Sequence, residues 1–165
     1  MNQNRWVVMG VSGCGKSSVG QALADALGVP FLEGDAFHSP ANVAKMSAGT
    51  PLTDEDRVDW LAALASEIRA AADKGEGLVL SCSSLKRRYR DQLRSGDETL
   101  RFAHLHGERE LILARMQARK DHYMPPSLLD SQLALLEPLQ KDEAGVLLDI
   151  RKDPATLVEE ILRSR

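Results

Sequence analysis

The sequence predicts a three-layer α/β fold, in which helices cover both faces of a five-stranded, mainly parallel sheet. Two observations support this: short apolar runs of strand length, and amphipathic segments of helical period that alternate with them. Strands that are joined through helices pair in parallel, because the crossover returns the chain to the same end of the sheet. The length of 165 residues and the 43% hydrophobic content fit one globular domain, residues 1–165.

The elements follow one another in a regular order. Strands are predicted over residues 7–9, 31–35, 78–82, 100–106 and 146–150. Helices are predicted over residues 19–27, 42–48, 54–74, 85–94, 108–118, 128–136 and 154–162. Helix-end signals support these bounds: Gly28 follows the first helix, Thr53 precedes an acidic first turn, and Asp153 precedes Pro154.

A phosphate-binding loop joins the first strand to the first helix. Residues 10–17 read G-x-x-x-x-G-K-S, which is specific when a strand precedes it and a helix follows. Glycines let backbone N–H groups surround an anion, and the helix N-terminus adds positive potential. Lys16 is predicted to reach the β- and γ-phosphates, and Ser17 to ligate Mg²⁺. The loop predicted to bind a nucleoside triphosphate comprises Gly10, Val11, Ser12, Gly13, Cys14, Gly15, Lys16, Ser17 and Ser18.

Cys14 lies within this loop, between amides and a lysine. That setting predicts a lowered thiol pKa. No catalytic role is predicted for it, because phosphoryl transfer needs no protein nucleophile.

Two carboxylates follow the second predicted strand. Glu33 and Asp35 are two residues apart, which places them on the same side of an extended chain. Asp35 is predicted to orient or deprotonate an acceptor hydroxyl, and the alternative is an aspartate that caps a turn. Glu33 is predicted to hold a water on Mg²⁺, with a structural role as the alternative. The third strand lacks a terminal aspartate, so Ser17 and water would carry more of the metal coordination.

Composition excludes some classes of function. The net charge of −3 gives no general attraction to nucleic acid or anionic membranes, and no apolar run approaches the length of a membrane span. The two cysteines lack metal-ligand spacing, and the first residues lack a secretory pattern. We therefore expect a cytoplasmic protein.

Motifs along nearly the whole chain resemble the gluconate kinase family. Beyond the phosphate loop, the resemblance rests on residues 33–38, Asn42, 45–46, 49–57, 60–61, 82–86, 89–91, 118–122, 131–132, 135–138 and 149–150. It implies transfer of phosphate from ATP to the 6-hydroxyl of D-gluconate, dependence on Mg²⁺, a homodimer, and a fold like shikimate and nucleoside monophosphate kinases. Ser84 stands before Leu85 where many relatives have alanine.

Gluconate carries one carboxylate and several hydroxyls, so its pocket needs a cation and hydrogen-bonding groups. Candidates are Arg57, His38, Lys86 and Arg90, the last two sharing a helix face. By position alone Arg57 reads as a solvated helix charge, and the resemblance reverses that interpretation. His38 reads equally as a surface loop residue. Arg57 and Lys86 are also candidates for catalysis.

A closing segment is predicted over residues 119–127, where Pro125 and Pro126 interrupt the helical pattern. Arg115 and Arg119 are predicted to contact ATP, with Arg119 also catalytic. His122 is predicted at the tip of this lid, and Gln132 just beyond it, facing the substrate. An ordinary proline-bearing surface loop is the alternative.

Other functions fit the sequence less well. Shikimate kinases usually carry several glycines after the third strand, where this chain has residues 81–84, Ser-Cys-Ser-Ser. A base-binding pocket typical of nucleoside monophosphate kinases is not evident. The Asn-Lys-x-Asp motif of GTP-dependent switches is absent from the sequence.

Overall fold

The computed structural model describes residues 4–118 and 126–165. Its five strands form one sheet in the order β2-β3-β1-β4-β5, and every neighbouring pair is parallel. The strands are β1 (Arg5–Met9), β2 (Phe31–Glu33), β3 (Leu78–Ser81), β4 (Arg101–His106) and β5 (Gly145–Asp149). The predicted three-layer α/β architecture is confirmed.

Helices connect consecutive strands. They are α1 (Lys16–Leu27), α2 (Pro40–Ser47), α3 (Asp54–Asp73), α4 (Arg87–Arg94), α5 (Arg109–Ala118), α6 (Pro126–Leu135) and α7 (Pro154–Arg163), with a short 3-10 helix at Gly34–Phe37. Thr53 caps α3 through a reciprocal capping box with Asp56, and Asp153 accepts a hydrogen bond from the Thr156 amide at the start of α7. None of the helices in the described ranges is long and apolar enough to cross a membrane.

Alternation along β1 divides the core between the two faces of the sheet. Trp6 and Val8 point into a cluster with α1, α5 and α7, whereas Val7 and Met9 point into a cluster with α3 and α4. A central strand that is buried on both faces leaves its carboxyl end as the place where polar groups can collect.

Two element boundaries differ from the sequence prediction, the end of β2 and the start of α6. Strand β2 ends at Glu33, and Asp35 lies in the 3-10 helix, so the argument that both carboxylates share one face of a strand was wrong. A Cβ at Gly34 would clash with the Ser81 carbonyl oxygen, so this close approach of the two backbones requires glycine. Helix α6 begins at Pro126, because proline fits the first helical turn, where no N–H is needed.

Arg90 is a structural residue of the core. Its side chain is 0% exposed, and its guanidinium group donates to the Glu143 carboxylate at 2.7 and 3.0 Å. Further N–H groups donate to the carbonyls of Ser84 and Glu137, each at 2.9 Å. Burial by itself would raise the pKa of Glu143, but hydrogen bonds led by Arg90 outweigh it and lower that pKa to about 2. The prediction that Arg90 binds substrate is therefore corrected: it ties α4 to the segment before β5.

Substituting Arg90 with methionine is expected to lower the free energy of unfolding by about 3–5 kcal/mol, because Glu143 and two carbonyls lose their buried partner. The matched control is Arg69→Met, which removes an exposed ion pair with Asp73 on α3 and is expected to cost under about 0.5 kcal/mol. Denaturant unfolding measures both. Equal losses in the two variants would contradict a structural role for Arg90.

The prediction of a single domain, with a lid over residues 119–127, stays a prediction. Arg119 and His122 lie outside the described residues. Pro126 and Ser127, the last two residues of the predicted lid, belong to α6.

Candidate active site

Two cavities open at the carboxyl ends of the strands, and they meet. The larger, of about 890 Å³, lies along the phosphate loop, and the smaller, of about 160 Å³, lies between α2, α3 and α6. Ser12, Lys16 and Asp35 line both cavities. A molecule in one cavity would therefore meet a molecule in the other beside a lysine and a carboxylate.

The phosphate loop has the shape that its sequence predicts. Gly15 caps α1 with a φ of 96°, in the left-handed region that glycine adopts without strain. The Lys16 ammonium group donates to the Val11 carbonyl at 3.0 Å, which holds its charge inside the loop. All of the predicted loop residues from Ser12 to Ser18 line the larger cavity.

Cys14 differs from its prediction. Its side chain is buried, and burial raises the pKa of the thiol, although Lys16 and nearby backbone N–H groups act in the opposite direction. The sequence showed the neighbouring charges but not the packing of this side chain into the core beneath the loop. The thiol is therefore protonated near neutral pH.

Ser17 and Glu33 form a polar chain next to the loop. The Ser17 hydroxyl donates to Glu33 Oε2 at 2.7 Å, and the Ser81 hydroxyl donates to Oε1 at 2.6 Å. The Gly34 amide in turn donates to the Ser81 side-chain oxygen, Oγ, at 3.2 Å. This chain fixes the Glu33 carboxylate beside Ser17 at the edge of the larger cavity. No group of three or more His, Cys, Asp or Glu side chains in the described ranges is arranged to hold a metal ion.

The smaller cavity contains three of the predicted acceptor-site residues around Asp35: His38, Arg57 and Gln132. Arg57 is 7% exposed, and its Nη1 donates to the Leu52 carbonyl at 2.8 Å and to the Tyr89 hydroxyl at 3.2 Å. Its Nε and Nη2 have no hydrogen-bond partner among the described residues. Arg57 is thus a fixed cation at the wall of this cavity, and its role towards a substrate stays a prediction.

Gln132 lines the smaller cavity and Arg115 lines the larger one, and each is fixed by a hydrogen bond to the backbone. Gln132 Oε1 accepts a hydrogen bond from the Ser12 amide at 2.7 Å, so α6 is bonded to the phosphate loop. Arg115 Nη2 donates to the Ile150 carbonyl at 2.7 Å, which positions its guanidinium group at the wall of the larger cavity. The hydrogen bond between Gln132 and the phosphate loop was not predicted from the sequence, and the substrate-facing role of Gln132 stays a prediction.

Lys86 does not line either cavity. Its ammonium group pairs with Asp54 at 3.3 Å and lies 5.7 Å from the centre of the Tyr89 ring. The placement of Lys86 in the site is therefore corrected, because the acidic start of α3 holds its side chain away.

Sequence reasoning missed other residues of the smaller cavity. Trp60, for which no site role was predicted, lines the cavity, and its indole N–H donates to the Gly34 carbonyl at 2.8 Å. Its position on the buried face of α3 beside Arg57 was the available signal. Apolar side chains also form part of the wall, namely Val43, Met46, Leu52, Leu128 and Leu135.

Comparison with known proteins agrees with this geometry. The model of the shikimate kinase family matches residues 12–164. The chain is 49% identical over 157 residues to a gluconokinase of Gluconobacter oxydans (strain 621H), and the match covers 95% of this chain and 88% of that relative.

Solved structures give the same result. A sugar kinase from Janibacter sp. HTCC2649, in an unliganded structure, superposes with a TM-score of 0.93 at 51% identity, covering 97% of this chain and 92% of that one. A gluconokinase from Sinorhizobium meliloti 1021 superposes with a TM-score of 0.89 at 47% identity, covering 98% and 91% of the two chains. The chain therefore belongs to the gluconokinase family, within the wider group of kinases that the shikimate kinase model represents.

Proposed function

We propose that the protein transfers the γ-phosphoryl group of ATP to the 6-hydroxyl of D-gluconate. The observation that carries the proposal is the junction of the two cavities at Lys16 and Asp35. Phosphoryl transfer needs a donor and an acceptor aligned end to end, with a cation and a carboxylate where they meet. Family membership supports gluconate as the acceptor.

The two shared residues have different roles in this proposal. Lys16 stabilises negative charge on the phosphoryl group as it leaves ADP. Asp35 orients the acceptor hydroxyl and takes its proton. Its side chain is 53% exposed, so a carboxylate is available at the junction. Arg115 supports the nucleotide from the α5 side.

We also propose Mg²⁺ as the cofactor, held by the Ser17 hydroxyl and, through water, by Glu33. The pair fits, because Mg²⁺ prefers oxygen ligands and keeps several waters beside one carboxylate and the phosphates. A cluster of three carboxylates is therefore not required. When bound, Mg²⁺ would neutralise charge on the β- and γ-phosphates.

Arg57 is proposed to bind the gluconate carboxylate. Arg57→Ala is expected to raise the KM for gluconate at least about tenfold while leaving the KM for ATP nearly unchanged, because a fixed charge-assisted partner of the acid is lost. Steady-state kinetics with each substrate varied in turn measure this. Arg69→Ala, on the exposed face of the same helix, is the control. An unchanged KM for gluconate would contradict the role.

A panel of acceptors tests the proposed function. ADP release is followed with ATP and Mg²⁺ in the presence of D-gluconate, shikimate, AMP or other aldonates. We expect turnover with gluconate and little with shikimate or AMP. Turnover with shikimate or a nucleotide, and none with gluconate, would contradict the proposal.

Oligomeric state and location are two further proposals. We propose a homodimer, from the family resemblance, which light scattering of the purified protein tests directly. We propose a cytoplasmic location, because Cys14 and Cys82 are both free thiols. A reducing compartment such as the cytoplasm keeps cysteines in this form.

A further inference from the structure

A chain of side chains runs from α2 to Asp35. Asn42 Nδ2 lies 2.8 Å from the Asp56 carbonyl oxygen and 3.3 Å from His38 Nδ1. On the other side of the imidazole ring, His38 Nε2 lies 4.0 Å from Asp35 Oδ1. Asn42 is 6% exposed, and the His38 side chain is 3% exposed. The two residues are thus enclosed. The chain of side chains that they form ends at Asp35, the carboxylate that is proposed to act on the acceptor hydroxyl.

The orientation of the Asn42 amide follows from its carbonyl partner. A backbone carbonyl accepts hydrogen bonds and cannot donate them, so the atom 2.8 Å from the Asp56 oxygen is the NH₂ group. The second hydrogen of that group is then available to His38 Nδ1, which must accept it with a lone pair. If Nδ1 carried the proton, its N–H would face the Asn42 N–H, and two donors cannot form a hydrogen bond. The neutral ring therefore carries its proton on Nε2.

The ring is also fixed in space. His38 stacks on Trp60 with ring centres 4.0 Å apart and planes inclined by 20°. Trp60 is itself held by its hydrogen bond to the Gly34 carbonyl, next to Asp35 in the chain. Burial lowers the pKa of His38, Asp35 opposes this, and Arg57 adds to it, so the ring is neutral near pH 7.

Resting on the proposed function of Asp35, we propose that Asn42 and Trp60 hold His38 in its Nε2–H tautomer with that N–H aimed at the Asp35 carboxylate. His38 is then a positioning residue for Asp35, and Asn42 sets its tautomer. An approach of about 1 Å between Nε2 and Oδ1 makes the hydrogen bond. With one carboxylate oxygen engaged in this way, the other faces the acceptor hydroxyl and takes its proton.

The tautomer can be read without any substrate. Protein labelled with ¹⁵N-histidine is examined by long-range ¹H–¹⁵N correlation spectroscopy near pH 7, with the His38 signals assigned by their loss in His38→Gln. We expect an unprotonated Nδ1 and a protonated Nε2. A protonated Nδ1 in the wild-type protein overturns the proposal.

Kinetics test whether the tautomer matters. Asn42→Ala removes the donor to Nδ1 and is expected to mix the two tautomers and lower kcat about tenfold, with the KM for ATP unchanged. An unchanged tautomer or an unchanged kcat in this variant overturns the proposal. His38→Gln, whose amide N–H lies near the position of Nε2, should retain more kcat than His38→Asn, whose amide lies near Nδ1.

The order of the two histidine variants decides the question even if Asn42→Ala fails to fold, since equal or reversed kcat values contradict the proposal. All rates are taken with whichever acceptor the substrate panel shows to be turned over. Failure of gluconate as a substrate would thus count against the proposed function, whereas the wrong tautomer or the wrong order of variants would count against the positioning role of His38.

Discussion

Replacing Lys16 with alanine is expected to lower kcat at least about a hundredfold, the cost of removing one preorganised group that stabilises transition-state charge. Lys16 lines both cavities, and its ammonium group is held inside the phosphate loop by the Val11 carbonyl. In the proposed reaction, the transferring phosphoryl group develops its charge at that junction. Steady-state kinetics at saturating ATP and gluconate measure the loss.

Lys74→Ala is the matched control for this variant, because it removes an exposed lysine that follows the last residue of α3 and lines neither cavity. It should leave kcat within about twofold of the wild type. A Lys16→Ala enzyme that folds and keeps its kcat would contradict the assignment of the phosphate loop as the donor site.

Substituting Asp35 with asparagine is expected to lower kcat by about 10²–10⁴-fold, because the amide keeps the size of the carboxylate but cannot accept the proton of the acceptor hydroxyl. ATP affinity should change little, since the phosphate loop binds the nucleotide. Titration with an ATP analogue measures the affinity, and steady-state kinetics measure kcat. Asp59→Asn, on the exposed face of α3, is the control. A kcat equal to that of the wild type would exclude Asp35 as the base.

The sequence could predict the parts of the candidate site that are formed by residues close together in the chain. The phosphate loop is continuous in the chain, so its glycines, Lys16 and Ser17 were identified with their structural context. Asp35 became a candidate because ligands bind beyond the carboxyl ends of parallel strands. It lines both cavities, even though β2 ends earlier than predicted. Both inferences depend on short-range geometry and on the topology of the sheet.

The errors arise where a side chain meets a distant partner. Arg90 has the right spacing for a substrate-binding cation, but Glu143, 53 residues away, pairs with it in the core. Lys86 is held by Asp54 at the start of α3. Cys14 has charged neighbours, yet the packing beneath the loop decides its pKa. Spacing along one helix shows which residues share a face, not what that face packs against.

The smaller cavity could be predicted only in part, because its walls come from several elements that pack together. Arg57 and His38 were candidates by resemblance, and the structure brings both to the cavity that reaches Asp35. The stacking of His38 on Trp60 and the contact with Asn42 connect three elements, the segment after the 3-10 helix, α2 and α3. Those contacts depend on how the elements pack together.

In the proposed reaction, the γ-phosphoryl group of ATP is transferred to the 6-hydroxyl of gluconate at the junction between Lys16 and Asp35. The most direct test is to identify the product of a reaction run to completion, by NMR of ¹³C-labelled gluconate with detection of carbon–phosphorus coupling. We predict coupling of phosphorus to C6 and its neighbour C5, with one ADP formed for each gluconate consumed. Coupling at another carbon, or ADP released while the gluconate stays unmodified, would contradict the account.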